Sequence, residues 1–195
     1  LDLSNLYGPV YGERVLSYTF LLAGDAIQNR EAMYRAWTRI VNWLMTPNGK
    51  VVLQDDLMPD WHYLAEVQEA PSLAEANFMG QLTVGFQCYP FRIRNKPEFD
   101  DIWDTFDFDM DVAQNTHFTI GVRGSGVLIN NGPADVAITV TANKAATLTI
   151  GEEAYSLLPG DNTSTELVLE PGKNLINLTG ANDATADFSW YQEVI

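Results

Sequence analysis

The stretch NREAMYRAWTRIVNWLMT, from Asn29 to Thr46, carries its apolar residues at Met33, Trp37, Ile40, Val41 and Leu44. Those spacings wind the five side chains into one stripe along an α-helix. Asn29 is placed to cap the N-terminus, and Glu31 sits in the first turn, where the helix dipole favours an acid. Pro47 stops the helix and disfavours helical φ/ψ at Thr46. Arg30, Arg35, Arg39 and Asn42 take the wet side. Burying a residue such as Trp37 or Leu44 is worth roughly 1.5–3 kcal/mol, so the stripe needs an apolar partner. No other segment reads as a long helix, which makes the partner a β-sheet.

Strand patterns stand on both sides of the helix. From Arg14 to Leu22, Leu16, Tyr18, Phe20 and Leu22 share one face, with Ser17 and Thr19 on the other. After the Pro47-Asn48-Gly49 turn, Lys50 to Gln54 reads as a short strand. Trp61 to Ala70 alternates Trp61, Tyr63, Ala65 and Val67 against His62, Glu66 and Gln68. Pro71 to Gly80 reads as a connection. Gln81 to Ile93 alternates again, with Gln81, Thr83, Gly85 and Gln87 outward and Pro90 limiting pairing near its end. The helix stripe is expected to pack on the Leu16–Leu22 and Leu82–Val84–Phe86 faces.

The composition then changes. Asn95 to Trp103 carries Pro97 and an acidic run and reads as a linker. Phe106, Phe108, Met110 and Val112 then alternate with Asp107, Asp109 and Asp111, and short strands follow between turn signals such as Asn131-Gly132-Pro133, Pro159-Gly160-Asp161 and Pro171-Gly172. Many short strands at regular spacing indicate a sandwich or jelly roll. The chain is therefore expected to be mainly β. An α+β first domain (1–95), a sandwich or split barrel with one packed helix, precedes an all-β galectin-like or jelly-roll sandwich (96–195).

The chain is 195 residues long, 46% hydrophobic and 19% charged, an ordinary balance for a globular protein. No run of about 18 apolar residues marks a membrane span. With 26 acids against 11 bases and a net charge of −15, the sequence lacks the clustered Lys and Arg of a phosphate-binding surface. A protein that nucleic acid slides past without sticking remains compatible with that charge. The chain opens on Leu1 rather than Met, and upstream residues are expected to have been removed.

Candidate chemistry is sparse. Cys88, the single cysteine, shares the phase of Leu82, Val84 and Phe86 and reads as a small core residue. His62 and His117 fall in different expected domains, and with one Cys they do not make up a zinc set. No G-x-S-x-G elbow is present. Asp107, Asp109 and Asp111 are spaced as acids that can bind calcium, but the Gly and Glu an EF-hand loop needs at its sixth and twelfth positions are Val112 and Phe118 from Asp107, or Gln114 and Ile120 from Asp109; the three acids read as the wet face of a strand. In the last strand Phe188 and Trp190 share the core phase, while Tyr191 faces outward. Tyr155 is placed to join Tyr191 in a sugar platform, the contact a carbohydrate-binding module would use. Asn162-Thr163-Ser164 and Asn177-Leu178-Thr179 match the glycosylation pattern.

The order of parts resembles the distal tail proteins of long-tailed bacteriophages and prophages. The residues that carry it are Leu1-Asp2-Leu3-Ser4, Gly8 to Tyr11, Glu13-Arg14 leading to Tyr18-Thr19-Phe20, and the turn Trp43-Leu44-Met45-Thr46-Pro47-Asn48-Gly49-Lys50. Asp55-Asp56, Trp61 with Tyr63, and Cys88-Tyr89-Pro90-Phe91 follow in the family's order. The resemblance covers residues 1–93; beyond it only the plan and the Asn130-Asn131-Gly132 turn are similar. It implies a structural, non-enzymatic component of the virion tail tip, assembled in the host cytoplasm. It also implies a homo-oligomeric ring, a hexamer, joining the tail tube to the baseplate and to tail-tip and receptor-binding proteins. No cofactor, membrane or tight nucleic-acid partner is implied. The family carries a further N-terminal segment that supplies early strands of the first domain. The competing expectation is a carbohydrate-binding adhesion module.

Overall fold

The structure, a computed structural model, describes residues 11–23, 29–76, 79–98, 108–109 and 111–195. The chain divides into two compact units, Leu1–Arg92 and Ile93–Ile195. It is mainly β, and one helix stands among the described residues.

In the first unit the order is β1 (Arg14–Leu22), α1 (Arg30–Met45), β2 (Val51–Leu53), β3 (Trp61–Glu66), β4 (Ser72–Ala76) and β5 (Met79–Cys88). Strand β5 is the spine. Along one edge it pairs antiparallel with the whole of β1, from Arg14↔Cys88 to Leu22↔Gly80. Its other edge is shared by β3, at Ala65↔Cys88 and Glu66↔Gln87, and by β4, from Ser72↔Thr83 to Ala76↔Met79. Strand β2 lies against β3 from Val51↔Ala65 to Leu53↔Tyr63.

Two elements here differ from the sequence reading. The connection expected over Pro71–Gly80 contains β4. SLAEA has little intrinsic β-propensity; its pairing with β5, which sets Leu73 opposite Leu82, makes it a strand. Strand β3 also stops at Glu66 rather than running to Ala70.

Helix α1 starts as its sequence directs. Asn29 is extended (φ −157°, ψ 170°), and its Oδ1 accepts from Ala32 N at 2.8 Å. At the other end Thr46 keeps helical angles (φ −76°, ψ −36°) in spite of Pro47. The Thr46 hydroxyl donates back to the Asn42 carbonyl, one turn earlier. Met33 is fully buried, and Trp37, Ile40 and Leu44 pack against Leu22, Leu82 and Val84. Val41 is half-buried. The helix approaches the sheet closely at Gly80. A Cβ there would stand 2.9 Å from Leu73 Cδ1 and 3.0 Å from Met33 Sδ, so glycine is what lets Met33 settle. Arg30 Nε ties the first turn to Glu75 of β4 at 3.0 Å.

Strand β6 (Arg92–Arg94) spans the boundary of the units. The second unit continues with β7 (His117–Thr119), β8 (Ser125–Asn130), β9 (Val136–Ala142), β10 (Ala146–Ile150), β11 (Glu153–Leu157), β12 (Gly160–Leu169), β13 (Gly172–Gly180), β14 (Thr185–Ser189) and β15 (Glu193–Val194). Two four-stranded antiparallel sheets form, ordered β11-β10-β13-β8 and β12-β9-β14-β7. Their inner faces share one core. Leu128, Leu148 and Ile176 come from one sheet, and Val140, Leu169 and Phe188 from the other. Phe118 meets Phe188 edge to face at 5.3 Å. This is a β-sandwich. Phe188 and Trp190 are buried, in the phase their spacing gives.

The acidic alternation before β7 is not a strand where it is described. Phe108 and Asp109 lie in a turn with Phe108 82% exposed, the reverse of a core position. Asp111 is buried instead, and Arg94 grips both of its carboxylate oxygens, Nη2 to Oδ2 at 2.7 Å. The pull of a buried guanidinium outweighs the period-two pattern. Phe106, Asp107 and Met110 lie outside the described residues.

Two outer strands of the sandwich have backbone groups taken up by side chains. On β8 the Gln114 amide accepts from Ile129 N at 2.8 Å and donates to Ile129 O at 3.0 Å. Strand β12 shifts register between Thr163 and Val168. In that irregular stretch Ser164 Oγ accepts from Glu166 N at 3.2 Å, and Tyr155 Oη donates to Glu166 O at 2.8 Å.

Candidate interaction surface

Helix α1 covers its sheet unevenly. Met33 seals one end against Gly80 and Leu73, and toward the other end Ile40, Trp43 and Leu44 line an open groove. After Pro47 the chain turns through Gly49, whose φ of +95° is reached readily only by glycine, and returns as β2. Between the end of α1 and β2 lies an apolar groove of about 580 Å³. Leu82, Val84 and Phe86 of β5 line it together with Leu44, Trp43 and Val52. Trp43 is 72% exposed, Val52 62% and Phe20 47%. Exposed apolar groups this close together mark an interaction surface more often than scattered ones do.

The sequence contained a signal for it that the stripe reading passed over. Trp43 is a large aromatic off the stripe, on the polar side of the helix. Val51-Val52-Leu53 does not alternate, so β2 presents apolar side chains on both faces. Inside the same unit the indole N–H of Trp37 is buried without a hydrogen-bond partner among the described residues.

Polar groups fix the surrounding elements. Tyr18 Oη donates to Asp55 Oδ2 at 2.8 Å, and Asp55 Oδ1 accepts from Leu57 N and Met58 N at 3.0 and 3.2 Å. Burial, reinforced by the Asp55 carboxylate, pushes the Tyr18 phenol up to about 12. The same bond, with the two amides, holds Asp55 below the usual carboxylate range. Lys50 bridges Glu13 and Glu66, the latter at 3.3 Å. The Lys50 ammonium and the Gln87 amide lower Glu13, and the Gln68 amide and Lys50 lower Glu66.

The residues singled out as a possible sugar platform are not brought together. Tyr155 is on β11 at the rim of one sheet, half-buried against the core with its hydroxyl committed to Glu166. Tyr191 follows β14 of the opposite sheet and is 50% exposed. Asn162 is occupied as a turn brace, donating to the carbonyls of Val140, Leu158 and Gly160 and accepting from Leu158 N. Asn177 is exposed on β13. His62 and His117 belong to separate units. His117 Nδ1 meets Asp187 Oδ1 at 2.5 Å and its Nε2 meets Thr119 Oγ1 at 3.2 Å, a relay on an open strand face. Cys88 is buried, and burial pushes its thiol up, which makes it inert rather than reactive. Among the described residues no group of three His, Cys, Asp or Glu is placed to hold a metal ion, and no helix is long and apolar enough to cross a membrane.

A sheet under one amphipathic helix, followed by a β-sandwich, makes a Dit-like fold. The chain is similar to the crystal structure of SPP1 Dit (gp 19.1), described as a paradigm of hub adsorption apparatus in phages that infect Gram-positive bacteria. The likeness covers 94% of this chain and 80% of that one, with a TM-score of 0.63 and 14% sequence identity. No protein-family model matches the sequence. No curated protein matches it either.

Proposed function

We propose that this chain is a structural component of a phage or prophage tail tip, located in the virion. In that reading it forms a closed homo-oligomeric ring, a hexamer, that joins the tail tube to the baseplate and receptor-binding proteins. The observation that carries the reading is the likeness to SPP1 Dit over nearly the whole chain. The open groove beside Trp43 and Val52 supports it, because a head-to-tail contact that closes into a ring needs such a surface on every copy. The charge fits passage of DNA: at −15 per chain, repulsion keeps a duplex from binding the wall, although it is screened beyond roughly 8 Å at physiological salt. The role is structural and needs no cofactor.

Electron microscopy of the purified chain, with its mass by light scattering, tests this. Closed rings that are lost in a Trp43→Glu/Val52→Glu variant are the expected result. Absence of any ring at every concentration, or tight duplex binding at physiological salt, overturns it. A carbohydrate-binding module is the weaker reading, since Tyr155 and Tyr191 do not share a face.

A further inference from the structure

Strand β1 ends its sheet: among the described residues its one strand partner is β5. The outer side is a nine-residue edge, about 30 Å long. Edges are ordinarily blunted by charge, proline, bulges or short length. From Val15 to Leu22 this one carries neither charge nor proline, and its pairing with β5 runs without a register shift. Val15 and Leu21 are 60% and 64% exposed on one face, and Phe20 is 47% exposed on the other. The edges of β8 and β12, by contrast, are occupied by Gln114, Ser164 and Tyr155.

The sequence of β1 is close to self-complementary about Tyr18. Laid antiparallel against a second β1 with Tyr18 opposite Tyr18, Ser17 meets Thr19, Leu16 meets Phe20 and Val15 meets Leu21. Every pair from Val15 to Leu21 matches like with like; only the end pair, Arg14 with Leu22, does not. A two-fold axis through an edge-to-edge antiparallel pair keeps the same face of both sheets on one side, so only registers that pair even with even and odd with odd positions are allowed. Centring on Thr19 sets Ser17 against Leu21, and centring on Ser17 sets Val15 against Thr19; both mix polar with apolar.

We propose that β1 pairs with β1 of a second copy of this chain, antiparallel about Tyr18, to make one continuous sheet with both grooves on the same side. The neutrality of the strip is what lets two copies of a chain carrying −15 meet there. Added salt screens the rest of the repulsion, so the pairing tightens as salt rises. The contact is small, below about 1,200 Å² in total, and is therefore reversible and concentration-dependent. It does not depend on the tail-tip reading. A ring built through the groove would be joined to a second ring by the same strands.

Sedimentation of the full chain from low to high micromolar concentration, in low and moderate salt, is the first measurement. The expected result is that a Val15→Lys/Leu21→Lys variant, altered only at exposed positions, halves the mass of the species the parent forms and keeps its melting curve. The second measurement fixes the register. Under mild oxidant, a mixture of a Ser17→Cys chain with a Thr19→Cys chain cross-links several-fold more than either chain with itself, Cys88 being buried. A mass unaffected by the two lysines overturns the proposal, as does cross-linking with no preference for the mixed pair. A chain that stays monomeric with β1 amides slow to exchange also overturns it, by showing that a segment of its own chain covers the edge.

Discussion

Tyr18 on β1 donates its phenol proton to Asp55 across 37 residues of chain, at 2.8 Å, and Asp55 in turn holds the amides of Leu57 and Met58. One carboxylate thus ties the outer strand to the loop before β3. The two groups titrate at opposite ends of the pH scale, which makes the link visible in stability measurements.

At alkaline pH the unfolded chain releases the Tyr18 proton near pH 10, while the folded chain keeps it to about 12. The unfolded state then binds fewer protons, so stability is fully present below pH 10 and falls between pH 10 and about 12. Urea midpoints measured across that window should decline in the parent and decline less in Tyr18→Phe. Equal slopes would show that the phenol is not held as described.

At acid pH the sign reverses. Asp55, Glu13 and Glu66 all titrate lower in the folded chain than in the unfolded one. Their contribution is present above pH 4 to 4.5, roughly the unfolded carboxylate range, and is lost as pH falls through the lower folded values. Acid unfolding followed by circular dichroism should begin at higher pH in the parent than in Asp55→Asn, once each is referred to its own neutral stability.

Met33 and Trp43 lie ten residues apart on α1 and should respond oppositely. Met33 is fully buried against Gly80 and Leu73, so Met33→Ala should cost about 2–5 kcal/mol. Trp43 is 72% exposed, and Trp43→Ala should change stability by less than about 0.5 kcal/mol. Chemical denaturation of the two variants checks the pair.

In the sandwich, Arg94→Met should cost about 3–5 kcal/mol, because it takes the guanidinium away from the buried Asp111 carboxylate. Replacing both residues with apolar ones should recover most of that loss. Denaturation of the single and double variants decides it, and additive costs would mean that the pair is not coupled.

Glycan binding offers a further check on the sandwich. With the Tyr155 hydroxyl committed to Glu166 and Tyr191 in the segment that follows β14 of the opposite sheet, calorimetric titration with oligosaccharides should show no micromolar binding. A response quenched by Tyr191→Ala would contradict this.

The legible parts of the fold were those in which one period dominates. Helix α1 could be read to its cap because Asn29, Glu31 and the Met33–Leu44 stripe agree at every level, and β1 could be read to its ends for the same reason. Strand β4 could not be read, because SLAEA becomes a strand only through what β5 offers it. The Phe106–Val112 alternation misled, because a period-two pattern carries no information about Arg94, a distant residue that draws Asp111 inward. The groove escaped for a different reason: a stripe says which side of a helix is apolar, but not how far along its length the sheet follows it. Trp43 and Val52 become informative only once α1 is seen to stand away from β2.

The side chains that occupy β8 and β12 have a consequence for valence. A strand edge is a site for one partner, and a molecule with two open edges can add partners without limit, which is how fibres grow. Here Gln114 satisfies both backbone groups of Ile129, and Ser164 and Tyr155 satisfy those of Glu166. Among the described residues β1, nine residues long, is left as the longest outer strand without such a stopper, ahead of the five-residue β11 and the three-residue β7, so a second strand has most to gain by adding there. Three polar side chains in the sandwich thereby turn strand exchange away from two of its outer strands and toward an exposed apolar strand more than ninety residues upstream.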